Sequence, residues 1–188
     1  MINIKILVLG LALATAATGC SSGSSSSDGG TNDSGDTDTN CALGGTYNSD
    51  FTIGTQSDVA TLAGYTSISG SLHINCNSCT DLSELICLAS VDENLGIFNN
   101  PALTNVDGLS NITSVGWSLW IQSNAVLTSL NGLSALTSVG DAFEFYLNDI
   151  LPDCEVCELL DQITSGPLSI DVHDNLDDTC TPVPAGCP

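Results

Sequence analysis

Apolar residues recur every 24 positions through the middle of this 188-residue chain, and this period limits the possible folds more than any other feature. Two columns of equivalent positions show it: Leu95, Leu119 and Phe143, and Ile97, Ile121 and Phe145. An earlier pair, Leu72 and Ile74, precedes the first members by 23 positions. A single repeat of this length cannot bury its own apolar residues, so consecutive repeats must stack on one another.

Each repeat begins with two apolar residues separated by one position, which predicts a short strand with both side chains inward. Later apolar residues recur at intervals of three, which predicts tight turns or single helical turns. Stacking places equivalent strands side by side in a parallel sheet, about 4.8 Å apart. The sequence therefore predicts a mainly β solenoid with coils of about 24 residues.

The segments on either side of the repeats predict caps. Before them, residues 51–53 resemble a strand, and residues 57–62 a short helix with Ser57 as N-cap. After them, residues 154–163 have helical spacing behind the start signal Pro152 and Asp153. Residues 168–172 then alternate like a final strand.

Asparagines recur just after the predicted strands, at Asn77, Asn100, Asn124 and Asn148. A stacked asparagine can bond to the backbone of its own turn and to the asparagines of neighbouring coils. We expect these four residues to form a structural ladder rather than a functional site.

Three segments carry a family resemblance. Residues 63–74 read AGYTSISGSLHI, and the runs starting at Asn100 and Asn124 follow the pattern Asn-x-x-Leu-Thr-x-Val/Leu-x-Gly-Leu-Ser. Over residues 51–151 the chain resembles the receptor L-domain family, relatives of leucine-rich repeats that occur as ligand-binding lobes of insulin-type and epidermal-growth-factor-type receptors and in bacterial surface proteins. The resemblance implies a right-handed solenoid of the parallel β-helix or leucine-rich-repeat type, which presents a sheet to a partner. It does not imply receptor signalling, because only one lobe is matched.

The N-terminus resembles a bacterial lipoprotein signal. An apolar stretch of about 12 residues follows Lys5 and is too short to span a bilayer. It ends in Ala-Thr-Gly-Cys, which resembles a lipobox and implies cleavage before Cys20 and palmitate on that cysteine. In bacterial lipoproteins a non-acidic residue after the lipidated cysteine goes with location in the outer membrane. Ser21 fits this pattern, so the resemblance implies the outer membrane. The alternative is an ordinary secretory signal with an incidental cysteine.

These signals divide the chain into three parts. Residues 1–19 are the predicted signal peptide, residues 20–40 the lipidated cysteine and a Ser/Gly/Asp-rich disordered tether, and residues 41–188 the solenoid with cysteine-rich caps. The tether cannot bury a core because it holds only small polar and acidic residues.

Eight cysteines remain after Cys20, four near each end of the repeats, and an exported chain favours disulfides between them. We expect two disulfides at each end, with the pairing left open. The two CxxC motifs, 76–79 and 154–157, less readily suggest zinc or redox sites. No Lys or Arg follows Lys5 to stabilise a thiolate, and the motifs lie at opposite ends of the stack. The predicted disulfide cysteines are Cys41, Cys76, Cys79, Cys87, Cys154, Cys157, Cys180 and Cys187.

The charge balance excludes some partners. The chain has 22 acidic residues against a single base, a formal net charge of -21. Such a chain repels phosphate backbones, so we expect no nucleic-acid binding and no polybasic contact with a membrane surface.

An acidic stretch near the C-terminus contains Asp171, Asp174, Asp177 and Asp178. It is either a calcium-binding loop or, as we expect, a solvent-facing turn.

Catalytic constellations are weak in this sequence. A polysaccharide lyase would need Lys or Arg, and a hydrolase would need paired carboxylates. Glu144 points outward, but the predicted neighbours in its column are Trp120, Gly96 and His73, with no second acid. His73 and His173 are expected far apart, and no serine has a recognisable His/Asp partner. We expect no enzyme, no cofactor and no metal site.

The outward side of the predicted sheet is the candidate binding surface. One outward column contains His73, Gly96, Trp120 and Glu144, and the next contains Asn75, Phe98, Gln122 and Tyr146. Phe98, Trp120 and Tyr146 should lie within about 10 Å of one another. Exposed aromatic clusters mark binding surfaces, although these rings could instead shield the sheet or pack under the C-terminal segment. The expected ligand-binding residues are His73, Phe98, Trp120, Gln122, Glu144 and Tyr146.

The sequence thus predicts a lipid-anchored envelope protein with a non-catalytic binding face. A sugar ring or an apolar protein patch fits such a face, and an anionic ligand does not. The alternatives are a structural surface-coat protein without a specific ligand and, less favoured, a carbohydrate-active enzyme.

Overall fold

The computed structural model describes Cys41, residues 44–167 and residues 169–176. The predicted signal peptide, Cys20 and the tether lie outside these residues. So do Leu168, Asp177, Asp178, Cys180 and Cys187, on which parts of the strand, calcium and disulfide predictions rest.

The fold is mainly β, with two parallel sheets and a few short helices, which is compatible with a β-solenoid. The larger sheet contains, in spatial order, β2 (Phe51–Ile53), β4 (Leu72–Ile74), β6 (Leu95–Phe98), β8 (Leu119–Gln122), β10 (Ala142–Pro152) and β11 (Ser169–Leu176). The smaller sheet contains the two-residue strands β1 (Thr46–Tyr47), β3 (Ser67–Ile68), β5 (Ser90–Val91), β7 (Ser114–Val115) and β9 (Ser138–Val139). The predicted strand at residues 51–53 is confirmed.

The apolar columns of the sequence are the inward columns of the larger sheet. Leu72, Leu95, Leu119 and Phe143 are in register on adjacent strands, and all four are fully buried. Inward residues of the smaller sheet, such as Val115, join the same apolar core. Ile170 continues the column on β11, but it is 54% exposed. The core therefore lies between the two sheets and thins at β11.

Single 3-10 turns connect the strands where the sequence has apolar residues at intervals of three. They span Ala60–Leu62, Ser83–Leu85, Asp107–Leu109 and Asn131–Leu133. Gly108 and Gly132 occur in two of them because the neighbouring repeat passes very close. A Cβ atom at Gly108 would collide with the Leu82 carbonyl, and one at Gly132 with the Val106 carbonyl.

The helices lie at the two ends. Helix α1 spans Gln56–Val59 and follows Thr55 as its N-cap, so the predicted N-cap Ser57 is wrong. Asp58 accounts for this start, because its carboxylate accepts hydrogen bonds from Thr55 N at 2.8 Å and Thr55 Oγ1 at 2.9 Å. The bond from the Thr55 hydroxyl, together with those from the Gly54 and Thr55 backbone N–H groups, lowers the pKa of Asp58. Helix α2 spans Asp153–Gln162, as its spacing predicted.

Disulfides fasten the start of the stack. Cys41 bonds to Cys87, and Cys76 bonds to Cys79, so the first CxxC motif is a disulfide within one turn. Cys154 and Cys157 on α2 are also disulfide-bonded. The four early cysteines are thus used within the first repeats.

A buried asparagine ladder runs along the end of the larger sheet. The Asn124 amide donates to the Ile97 carbonyl at 2.9 Å, and its oxygen accepts from the Asn100 backbone N at 3.1 Å. Asn148 repeats this arrangement with Asn124, and Asn175 continues it on β11.

The prediction that Asn77 belongs to the ladder is wrong, because Asn77 is exposed. Cys76 occupies the ladder position of the first repeat, and its backbone N donates to Asn100 Oδ1 at 2.8 Å. The reason is a corner residue with a left-handed backbone. Asn99, Ser123, Leu147 and Asp174 each have a positive φ of 54° to 57° and directly precede a ladder asparagine. The first repeat lacks this residue, since one position separates Ile74 from Cys76 whereas two separate Ile97 from Asn100. This missing corner accounts for the spacing of 23 in place of 24.

Candidate binding face

The outward side chains of the larger sheet form the two columns that the sequence predicts. His73, Gly96, Trp120 and Glu144 are in register on β4, β6, β8 and β10. The second column contains Phe98, Gln122 and Tyr146, while Asn75 lies just beyond the end of β4. The six predicted face residues are all partly accessible, neither fully buried nor fully exposed. We refer to these two columns and their continuation on β11 as the outer face.

Strand β11 extends the outer face with residues that sequence reasoning did not place there. Asp171 pairs with Glu144, and His173 pairs with Tyr146. Asp171 and Asp174 lie within the strand, so the expectation of an acidic loop is wrong for these two residues. His73 and His173 are separated by three strands, as expected.

The β4 to β6 end of the outer face is a packed aromatic pair. The rings of His73 and Phe98 lie 5.6 Å apart at a tilt of 52°. They cover Gly96, where an added Cβ would lie 2.7 Å from Phe98 Cε1 and 3.1 Å from His73 Cδ2. Gly96 thus leaves room for its neighbours, and part of this aromatic surface shields the sheet.

At the opposite end, Tyr146 and His173 are stacked. Their ring centroids lie 5.0 Å apart with 8° between the planes. His173 Nδ1 lies 2.9 Å from Asp174 Oδ2, and its Nε2 lies 3.8 Å from Asp171 Oδ1. The imidazole is therefore held between two carboxylates and one ring.

Two carboxylates neighbour each other at the centre of this end. The expectation that Glu144 has no acidic neighbour is wrong, because Asp171 is its register partner on β11. The prediction failed because β10 and β11 are 27 positions apart, Phe143 pairing with Ile170, so the 24-residue period does not reach β11. No hydrogen bond or ion pair reaches the Glu144 side chain from the rest of the described chain, and the Asp171 side chain is 64% exposed.

Trp120 occupies the middle of the outer face. Its indole Nε1 is buried and has no hydrogen-bond acceptor among residues 44–167 and 169–176 or Cys41. A buried N–H group without an acceptor costs about 1–3 kcal/mol. The ring therefore holds its place through packing and not through a polar bond.

Trp117 is an exposed aromatic that sequence reasoning missed. It is 54% exposed at the corner between the two sheets. Its backbone N donates to the Glu93 carbonyl, and the Asp141 backbone N donates to the Trp117 carbonyl. The 24-residue column of Glu93, Trp117 and Asp141 is visible in the sequence and could have revealed it.

A shallow pocket of about 110 Å³ lies between α2 and the turn at residues 131–133. Its carboxylate, Glu155, accepts hydrogen bonds from Ser129 Oγ at 3.1 Å and Leu130 N at 2.8 Å. Glu155 thereby fastens α2 to the stack, which is a structural task.

Two further observations bear on the kind of site. Within the described part of the chain, no group of three or more His, Cys, Asp or Glu side chains is arranged to hold a metal ion. None of the helices described is long and apolar enough to cross a bilayer. No protein-family model matches the chain, and no curated protein sequence matches it significantly.

Proposed function

We propose that this chain is a lipid-anchored protein of the bacterial cell envelope that binds a partner, without catalysis, through the outer face. The observation that carries the proposal is the collection of Phe98, Trp120 and Tyr146 on one accessible sheet surface. Only 5% of the residues in the chain are aromatic, so three on one side of one sheet is a marked enrichment. Aromatic groups with polar neighbours are typical of recognition surfaces.

The finer fold proposal is a right-handed, receptor L-domain-like solenoid with coils of about 24 residues. The parallel register of equivalent positions and the Asn100, Asn124 and Asn148 ladder support it. In such a solenoid every coil contributes one strand to the outer face. The face is then a continuous surface that a partner can contact over several coils.

The proposed anchor is a lipid on Cys20, with residues 21–40 as a flexible tether and the outer membrane as the site. Metabolic labelling with palmitate tests this directly. We expect label on the wild-type chain and none on Cys20→Ser. Label that persists in the variant would contradict the anchor.

The pairing of Glu144 with Asp171 raises the question of glycoside hydrolysis. A hydrolase needs its two carboxyl groups in a cleft that orients the scissile bond. Asp171 is instead largely exposed on a sheet surface, and a binding role needs only that the groups be accessible. We therefore propose binding and expect no release of reducing sugar from soluble glycans.

A specific observation favours the structural alternative for part of the surface. His73 and Phe98 pack on each other over Gly96, which is the expected behaviour of side chains that shield a sheet. In a surface-coat protein the whole outer face would serve this purpose. The binding role predicts that the chain retains a component of the cell envelope in a pull-down, and the structural role predicts that it does not.

The test is a pull-down from envelope extract with the full chain and with the variant Phe98→Ser, Trp120→Ser, Tyr146→Ser. Ile150→Ser is the matched control, since Ile150 is an exposed apolar residue in the irregular part of β10. We expect a component that the wild type and the control retain and the triple variant loses. Equal retention by all three proteins, or none, would favour the structural role.

A further inference from the structure

We propose that the partner of the outer face is a basic polypeptide, one of whose Lys or Arg side chains lies between the carboxylates of Glu144 and Asp171. This inference rests on the proposed binding function and names the class of partner. It is carried by the acidic pair, by the rings beside it and by the charge of the whole chain.

The acidic pair is the first step. Glu144 and Asp171 are directly paired on adjacent parallel strands, and strands in a sheet lie about 4.8 Å apart. Two negative charges this close repel each other. Among the described residues, Glu144 has no partner that offsets the repulsion, and Asp171 has only the His173 ring at 3.8 Å. A cation between the two carboxylates would remove this cost.

The aromatic neighbours suit the same ligand. Trp120 is the register partner of Glu144 on β8, and Tyr146 lies two residues along β10. A Lys or Arg head group close to such rings gains cation–π attraction in addition to its ion pair. The stacked rings of Tyr146 and His173 cover one face of each other, so they offer no common flat platform for a sugar ring.

Residues 6–188 supply no Lys or Arg side chain to this pair. Lys5 is the only Lys or Arg in the chain, and the formal net charge is -21. The field of such a chain attracts basic partners and repels acidic ones. A metal ion is a poor match, because the described chain does not gather three ligating side chains at one place.

A polypeptide fits better than a small cation because the surface is wide. From β6 to β11 the outer face spans four strands, about 14 Å, and it presents rings as well as acids. A chain segment can place a basic residue at Glu144 and Asp171 and apolar groups toward Trp120 and Phe98. A single small cation would use only one edge of this surface.

The experiment is a fluorescence-anisotropy titration of the full, disulfide-bonded chain with a labelled peptide of alternating Lys and Leu residues. A peptide with Gln in place of Lys is the neutral probe, and a neutral glucose oligomer is the glycan probe. The test variant is Glu144→Gln, Asp171→Asn. The matched control is Glu84→Gln, Asp107→Asn, which removes the same charge from two exposed acids on neighbouring 3-10 turns, outside the larger sheet.

We expect the Lys peptide to bind the wild type at least about tenfold more tightly than the Gln peptide. The test variant should weaken Lys-peptide binding about tenfold, and the control variant less than about threefold.

Equal weakening by both double variants would overturn the proposal, since it would show diffuse attraction to an acidic surface. Equal binding of the Lys and Gln peptides, or no binding of either, would also overturn it. The glucose oligomer could instead bind, with binding that survives Glu144→Gln, Asp171→Asn but is lost in Trp120→Ser, Tyr146→Ser. That result would overturn the proposal of a basic polypeptide partner and leave the proposed binding function standing. Failure of the binding function itself would show separately, as equal retention in the envelope pull-down.

Discussion

Replacing Asn124 by Ala tests the physical basis of the stack. The Asn124 side chain is fully buried and bonds both neighbouring repeats. Its oxygen accepts from the backbone N of Asn100 at 3.1 Å, and its amide donates to the Ile97 carbonyl at 2.9 Å and to Asn148 Oδ1 at 3.1 Å. Alanine would leave the Asn100 N–H and the Ile97 carbonyl buried without these partners.

The magnitude follows from those two backbone groups. A buried donor or acceptor that loses its partner costs about 1–3 kcal/mol, so two such groups set a range of about 2–6 kcal/mol. Water that enters the space left by the amide would satisfy part of the demand. We therefore expect Asn124→Ala to lower the free energy of unfolding by about 3 kcal/mol, a large share of the 5–15 kcal/mol typical of a domain.

The assay is urea unfolding of the disulfide-bonded protein, followed by tryptophan fluorescence. Asn77→Ala is the matched control, because Asn77 is exposed and outside the ladder, and it should change stability by less than about 0.5 kcal/mol. The dependence of the free energy on urea should be the same in both variants. A cost below about 1 kcal/mol for Asn124→Ala, or an equal cost for Asn77→Ala, would refute the reasoning.

Three other changes have definite expected outcomes. Leu147 has a φ of 57°, a left-handed backbone conformation that glycine adopts with less strain than leucine. Leu147→Gly should therefore raise the free energy of unfolding by about 0.5–1 kcal/mol in urea titrations, and a fall in that free energy would contradict the inference of strain. Trp120→Phe removes a buried N–H without an acceptor, so it should cost less than about 1 kcal/mol in the same titration, while Trp120→Ala should cost at least twice as much. Asp58 has a lowered pKa, so its stabilising effect is complete above its unfolded-state pKa and lost as pH falls through the folded-state value. Melting temperatures of wild type and Asp58→Asn should accordingly differ at neutral pH and converge in acid; a constant difference would rule this out.

Much of the fold follows from the sequence because inward positions are constrained by packing. Leu72, Leu95, Leu119 and Phe143 must interlock with the repeats above and below, so their period is visible without a structure. The turns are predictable for the same reason. The ladder position of the first repeat was not, since it depends on whether one corner residue is present, and that residue carries no hydrophobic signal.

The candidate site was predictable only in part, and the limit lies at β11. His73, Phe98, Trp120 and Tyr146 follow from alternation within periodic strands. Asp171 and His173 do not, because α2 and its connections lie between β10 and β11 and shift the spacing to 27. A pairing that follows an irregular connection cannot be read from a period, so the acidic pair emerges only in three dimensions.

The outer face differs from the core in what constrains it. Along one outward column the residues change from His73 to Gly96, Trp120, Glu144 and Asp171, while the adjacent inward column stays apolar. An inward side chain must fill a space closed on every side, whereas an outward side chain is constrained only by contacts with its cross-strand neighbours. A ring, a gap or a charge can therefore be placed on each strand without disturbing the stack. It follows that Glu144→Gln and Asp171→Asn should alter binding while leaving stability unchanged or slightly higher, because each removes one charge of a repelling pair. A clear loss of stability in either variant would mean that these carboxylates serve the fold and not a partner.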